Sequence, residues 1–411
     1  MYKTLFLLLI TGLFFNTAKS QDRNYAHKIT QELSSEEFFG RGAVNNGDIL
    51  AARYIAAAFK KLEVSPIGKS YLHPFEISIN TFPDRLSLKI DETELTPGLD
   101  YMVGGGSPSV EGRFELVHLD TLQLKNAKEL AAELTGKVAV LPAIAEKDKR
   151  TYELNAEGYI FTRPKRLYWR LSDAVSTRSY FYFHTYDSLI SNAKEVDVDI
   201  NSVFYKDYKT ANVLATVEGT THRDSFYVFT AHYDHLGMMG DETIFYGAND
   251  NASGTAMILD LARHYSLPEN KPKYSMVFMA FAAEESGLFG SKYTAENPPI
   301  DLGNIKFLFN LDMVGSGSEG IGMVNAKLEP EADSLIRVIN KENDYFTDIR
   351  SGGASCNSDH CAFAEKGVPA IFIFTRGKEQ PHYHTPLDKG KLALTKWDEL
   401  FQLLVEFTER Y

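Results

Sequence analysis

The chain has 411 residues, long enough for a large catalytic domain carrying an insertion, and its 44% hydrophobic and 24% charged content is that of a globular protein with a sizeable core. A formal net charge of −12 argues against a general nucleic-acid binder, which needs a basic face to meet phosphates. The best local basic patch is PKRLYWR, from Pro164 to Arg170, and its default reading is a solvated loop or strand edge.

Residues 1–20 read as a secretory signal. Lys3 is the positive region, Leu5 to Phe15 the apolar run, and Ala18-Lys19-Ser20 a small-x-small cleavage site before Gln21. The apolar run is too short to span a bilayer, and no later stretch is long and charge-free enough to do so. The expectation is an exported protein, periplasmic or secreted, without a membrane segment once the signal is removed. The two cysteines, Cys356 and Cys361, read as one short disulfide that fixes local shape, since a thiolate-bound zinc needs more cysteines than these.

From 26 to 62 the pattern is helical. Ile29, Leu33 and Phe38 recur before Gly40 and Gly42 break the run, and Asp48 is placed to cap a helix whose Ala52, Ile55, Phe59 and Leu62 share one face. From about 75 to 212 the texture is β-rich. LSLKI (86–90), FELVHL (114–119) and KVAVLPA (137–143) read as strands, and KNAKELAAEL (125–134) as a short helix. The aromatic residues between Tyr168 and Tyr186 read as packing for this unit, or as a substrate-facing wall. Residues 80–205 are assigned to a β-rich inserted subdomain, 21–79 to the N-terminal helical part of the catalytic domain, and 206–411 to its core.

After Ala211 an alternating rhythm begins. Strands are expected at 224–231, 273–282, 305–311 and 368–374, with helices at 254–265, 288–297, 332–343, 359–366 and 394–410. Strands separated by helices of this length imply an α/β fold with a mostly parallel central sheet flanked by helices. Polar clusters follow these strands. His232 and Asp234 come after the first, Glu284 and Glu285 after KYSMVFMAFAA, Asp312 after IKFLFNL, and His384 in a loop after VPAIFIF. Open α/β sheets bind ligands beyond the carboxyl ends of their strands, where these clusters would converge.

Two histidines with two aspartates and one or two glutamates supply nitrogen and oxygen ligands and no thiolate. That set suits Zn²⁺, with Mn²⁺ or Co²⁺ as substitutes. Five ligands exceed the three that one catalytic zinc takes, but suffice for two metals if one carboxylate bridges. Two metals about 3.5–4 Å apart can activate a water and polarise a carbonyl.

HYDHLG, GANDNASG, AAEESGLFGS, NLDMVG, SDHCAFAEKGVPA and YHTPLD occur in that order, and together they resemble the two-zinc aminopeptidase family. That family includes aminopeptidase Y, bacterial leucyl aminopeptidases and glutamate carboxypeptidase-like exopeptidases. The resemblance covers about 211–410 and implies a phosphorylase/hydrolase-like sheet. It implies that His232, Asp250 and Asp312 hold one zinc, and that Asp250, Glu285 and His384 hold the other. Asp234 would orient the His232 ring by accepting its second N–H. Glu284 would be the general base, and Tyr383 would help stabilise the oxyanion. The implied substrates are peptides with a free N-terminus.

Bland readings stand beside these. His27, His73, His118, His184, His222 and His264 read as surface or core residues, and His235, His360 and His382 as incidental or supporting neighbours of the motifs. Asp250 and Asn251 could simply cap the next helix, and Ser358-Asp359 reads as a helix cap. Asn251-Ala252-Ser253 matches a glycosylation acceptor, but its place inside the site argues against modification. The alternatives to an aminopeptidase are a glutaminyl-peptide cyclase, a glutamate-type carboxypeptidase, and a receptor-like relative without catalysis. The last should have replaced ligands that are all present here.

Overall fold

The computed structural model describes residues 21–175 and 180–411, so the signal segment read at 1–20 lies outside the described residues. Within them, the apolar runs after Ala211 form the centre of a nine-stranded sheet. Tyr274–Phe281, His222–His232, Ile305–Leu311 and Ala370–Thr375 lie side by side in that order, all parallel. Antiparallel strands flank them. Val203–Val217 pairs with Tyr274–Phe281 on one side, and Ile321–Val324 with Ala370–Thr375 on the other.

Alternation along the central strands sorts their side chains between two cores, because successive residues of a strand face opposite ways. Tyr227, Phe229 and Ala231, with Phe307 and Phe309, share a cluster with Ile29, Ile55, Met257 and Trp397. Helices Arg23–Leu33, Gly47–Lys61, Ser253–Ser266 and Trp397–Arg410 carry those last four. Val228, Val277, Met279 and Leu308 turn to the other face, against Ala295 and Phe363 of helices Phe289–Glu296 and His360–Ala364. Both faces are therefore dry, as a parallel sheet requires. At about 25 cal/mol per Å² of apolar surface, each such buried aromatic contributes roughly 2–3 kcal/mol.

A second sheet of eight strands occupies the span from Ser87 to Ile200. Val110–His118, Val138–Pro142, Gly158–Arg163 and Phe181–Tyr186 are parallel within it. Its apolar core includes Leu236, Met239 and Phe245, which belong to the loop between His232 and Asp250. The second sheet thus packs on a segment that leads directly to the polar cluster. Leu72–Thr81 and Val203–Val217, paired antiparallel, carry the chain into and out of it.

Two expectations need correction here. Asp48 does not cap its helix: Gly47 starts the helix, Asn46 is the cap residue, and the Asp48 carboxylate instead accepts the Tyr208 hydroxyl at 2.6 Å and the Thr210 hydroxyl at 2.7 Å. A buried carboxylate takes the donors that face it, and here these come from the neighbouring strand. PKRLYWR is not a simple solvated loop either. Leu167 and Trp169 are buried, and the segment is tied to the loop that carries His384.

Candidate metal centre

His232 is the last residue of its strand, in register with Phe281, and Glu284 and Glu285 follow three and four residues after that partner. Asp312 directly follows Leu311 of the adjacent strand. Sheet register alone therefore brings three of the polar clusters to one edge. His384 reaches the same edge from the loop after Ala370–Thr375.

The fifth group, Asp250, sits in an irregular loop just before helix Ser253–Ser266, and the sequence around it explains how the loop is held. Asn251 Nδ2 donates to the Leu311 carbonyl, and Asn251 Oδ1 accepts from the Gly254 and Met313 amides. Asn249 Oδ1 accepts from Gly315 N, and Ser253 Oγ from Val314 N. These polar residues of GANDNASG lock the Asp250 loop to the NLDMVG loop. Neither Asp250 nor Asn251 is the cap of the next helix, whose cap position is Ala252 with no side-chain cap bond. Asn251 spends its amide on tying the two loops and the Gly254 amide together, and the Asp250 carboxylate is left for the cluster. Gly247 has φ +57, and a Cβ there would lie 2.1 Å from the Asp250 carbonyl, so no other residue fits.

The cluster is tight. His232 Nε2 lies 3.4 Å from Asp250 Oδ1 and 3.4 Å from Asp312 Oδ1. His384 Nε2 lies 3.2 Å from Asp250 Oδ2 and 3.0 Å from Glu285 Oε2. The ligand atoms of His232, Asp250 and Asp312 are all within 4.8 Å of one another, as are those of His232, Glu284 and Glu285. All five expected ligands are therefore brought together. Glu284 and Tyr383 line a cavity of about 220 Å³ over the cluster, with Met313, Phe372 and Phe374 as apolar wall. Tyr383 stacks on the His384 ring at 3.8 Å.

Asp234 differs from expectation. The His232 Nδ1 partner is the Asp234 main-chain carbonyl at 3.1 Å, while the carboxylate lies 3.7 Å away. That carboxylate instead accepts the Glu284 and Glu285 amides, at 3.1 and 3.3 Å. One residue thus sets both the imidazole and the turn bearing the two glutamates. Ser358-Asp359 also departs from its reading as a cap. Ser358 Oγ donates to Asp312 Oδ2 at 2.8 Å, and Asp359, at the cap position, makes no side-chain cap bond.

Three supporting groups escaped the sequence reading. Arg41 is fully buried, and its guanidinium donates to the carbonyls of Leu33, Tyr233, Tyr246, Gly247 and Asp250. Asp388 accepts the Asn249 and Asp250 amides. It stands inside YHTPLD, so its motif was seen but its role was not. His384 Nδ1 bonds the Trp169 carbonyl at 2.8 Å, a main-chain contact with no side-chain signature. His235, read as a neighbour of the motifs, lies 2.8 Å from Glu285 Oε1 through Nδ1 and leaves Oε2 facing His384. Cys356 and Cys361 are joined in a disulfide that brackets Ser358.

The donor set fits divalent zinc. Asp250 Oδ2 is buried and accepts no hydrogen bond among the described residues, although His384 Nε2 is near. Carboxylates outnumber rings, and the field shows it. Burial opposes a proton on His384, yet Glu285 and Asp250 push its pKa up to about 11. Burial likewise pushes Asp234 up to about 8. A field that favours a proton on a ring nitrogen favours a metal cation there equally, and binding the metal displaces the proton.

The family model of peptidase family M28 matches residues 212–408. That segment belongs to peptidase family M28. A probable zinc metalloprotease of Pyrenophora teres f. teres is 39% identical over 110 residues, which is 26% of this chain and 22% of that protein. The matched stretch thus spans under a quarter of that relative. Aminopeptidase YwaD of Bacillus subtilis is 25% identical over 388 residues, covering 89% of this chain and 79% of that one. Among solved structures, a peptidase M28 precursor from Shewanella amazonensis SB2B superposes with a TM-score of 0.75 at 21% identity, covering 95% and 93% of the two chains. An aminopeptidase from Aneurinibacillus sp. strain AM-1 gives 0.70 at 23%, covering 95% and 94%. These two share the whole fold, second sheet included. The M28 segment holds all five clustered side chains, whereas Arg41 and Trp169 lie outside it.

Proposed function

We propose that the chain is an exported zinc-dependent aminopeptidase that removes N-terminal residues from peptides. One observation carries the reading: the two oxygens of Asp250 face two different imidazoles, His232 at 3.4 Å and His384 at 3.2 Å. A carboxylate so placed would serve two metal ions at once. His232 and Asp312 would complete one set, and Glu285 and His384 the other. Zinc bound there would supply Lewis acidity, for polarising a peptide carbonyl and making water a better nucleophile at neutral pH.

The remaining work belongs to the chain. Glu284 lines the cavity beside both sets and takes the proton from the attacking water, then passes it to the leaving amine. Asp234 fixes the Glu284 amide, and so the reach of its carboxylate. The Tyr383 phenol borders the cavity and donates to the developing oxyanion. His235 and the Trp169 carbonyl hold Glu285 and His384 in their orientations. The apolar wall of Met313, Phe372 and Phe374 borders the reacting groups on one side and lowers the polarity around them.

The reading is tested by a peptide panel with product identification and by metal analysis. Leucyl peptides should lose their first residue, while N-acetylated peptides and peptides beginning with glutamine should be neither shortened from the C-terminus nor cyclised. The purified protein should hold about two zinc ions, and a strong chelator should abolish turnover until zinc is returned. Cyclised product with a single zinc would replace this reading by a cyclase, and C-terminal release by a carboxypeptidase.

A further inference from the structure

The second sheet contains a cavity of about 630 Å³, larger than the one over the metal cluster, and nothing in the proposed chemistry uses it. The basic segment 164–170 provides part of its wall. Arg163 and Arg170 flank the Tyr168 ring, at 4.8 and 5.2 Å from its centre, and Lys147 stands at the rim. Glu146 is the single carboxylate in the lining. It lies 3.6 Å from Arg163 and 3.0 Å from His184. No carboxylate of the described residues forms an ion pair with Arg170 or Lys147. Tyr152 and Tyr182 add aromatic faces. Three cations thus face one acid, in a chain whose net charge is −12. A concave site of that sign concentrates anions against the prevailing field of the molecule.

The position matters as much as the sign. Trp169 lines this cavity and His384 lines the other, and the two residues exchange two hydrogen bonds: His384 Nδ1 with the Trp169 carbonyl at 2.8 Å, and Trp169 N with the His384 carbonyl at 3.2 Å. Arg166 adds a bond to the Pro381 carbonyl. The two cavities share one wall. A peptide whose first residue sits at the metal cluster would cross it within a few residues, at about 3.3 Å per extended residue.

We propose that this cleft is a second peptide site, which holds carboxylates in the downstream part of the substrate against Arg163 and Arg170. Guanidinium groups grip carboxylates in paired hydrogen bonds, and rings on which they stack hold the planes in place. The carboxylate can be the terminal one or that of Asp or Glu side chains. The direction in which the peptide lies rests on the aminopeptidase reading; the occupancy of the cleft by carboxylates does not.

The test is calorimetric binding to the full-length protein, with N-acetylated probes that an aminopeptidase leaves intact. Ac-Ala-Ala-Ala-Glu-Glu is compared with Ac-Ala-Ala-Ala-Gln-Gln, each with a free and an amidated C-terminus. The acidic probe should bind about tenfold tighter than the neutral one at low salt, and lose that advantage as salt rises. The amidated arm tells the terminal carboxylate from the side chains. Arg170→Gln, an exposed position without an ion pair, should remove most of the preference, and Arg163→Gln the remainder. Equal binding of acidic and neutral probes, no binding, or a preference that survives both substitutions would overturn the proposal. So would tighter binding of an oligothymidylate of matching charge. If leucyl peptides prove uncleaved while the acidic probe still binds at Arg170, the aminopeptidase reading fails and the cleft stands.

Discussion

Arg41 shows how much one residue outside the cluster carries. Its guanidinium meets five carbonyls, two of them on the loop that presents Asp250. Burial lowers its pKa to about 10, yet Asp388, Asp250, Asp234 and Glu285 keep it charged at neutral pH. An ammonium has three donors and no fork, so Arg41→Lys should recover part of the wild-type stability, and Arg41→Met little of it. The methionine variant leaves buried carbonyls unpaired and should cost about 3–5 kcal/mol, read as a lower denaturant midpoint. Glu284→Gln should do the reverse: zinc content and stability retained, with kcat lower by about 10²-fold or more. Wild-type turnover in that variant would remove Glu284 from the mechanism.

Asp48 gives a pH prediction at the same scale. Burial raises its pKa from 3.8 to about 6, against the pull of the Tyr208 and Thr210 hydroxyls. A carboxyl that holds its proton more tightly when folded makes stability fall as pH rises from about 4 to about 6, and the loss persists above that. The linked change is on the order of 3 kcal/mol. Asp48→Asn should therefore flatten the stability profile across this window and raise the melting temperature at pH 8. A variant no more stable than wild type at pH 8 would show that the hydroxyl bonds outweigh burial.

Among elements, the lesson lies in which contacts leave a trace in side chains. The central strands and their helices were legible because dry strands read as apolar runs and helices as stripes; Ile305–Leu311 falls where the spacing placed it. The cluster was legible because its members are side chains: His232, Glu285 and Asp312 follow strand ends, while Asp250 and His384 stand in loops marked by their own motifs. The long strand Val203–Val217 was not, since its exposed first half carries mixed residues that resemble the insertion. Nor were the loop conformations. Ala283, Met313 and His384 all hold positive φ beside the cluster, a strained state that nothing in their residue types announces. The contact between Trp169 and His384 is main chain, and a main-chain partner has no letter of its own. The Trp169 side chain can still test it, because it anchors the segment through Nε1 to the Val103 carbonyl and by packing on Phe245. Trp169→Ala should weaken zinc binding about 10–100-fold, measured by chelator competition, as loss of an orienting partner does. Unchanged zinc affinity would mean that His384 holds its place without the second sheet.

For the molecule as a whole, the matched segment 212–408 is a poor guide to what can stand alone. Asp250 is fixed from Arg41 upstream and from Asp388 near the far end of the chain. His384 is fixed from the second sheet. The site is therefore a knot tied from distant stretches of chain, closed only after the N-terminal helices, the second sheet and the final loop have all docked. A ribosome would have to deliver nearly the entire polypeptide before the polar cluster could assemble. On the proposed function the nascent chain would be inert through most of its synthesis, and a fragment of residues 206–411 alone should neither fold cooperatively nor hydrolyse a leucyl peptide.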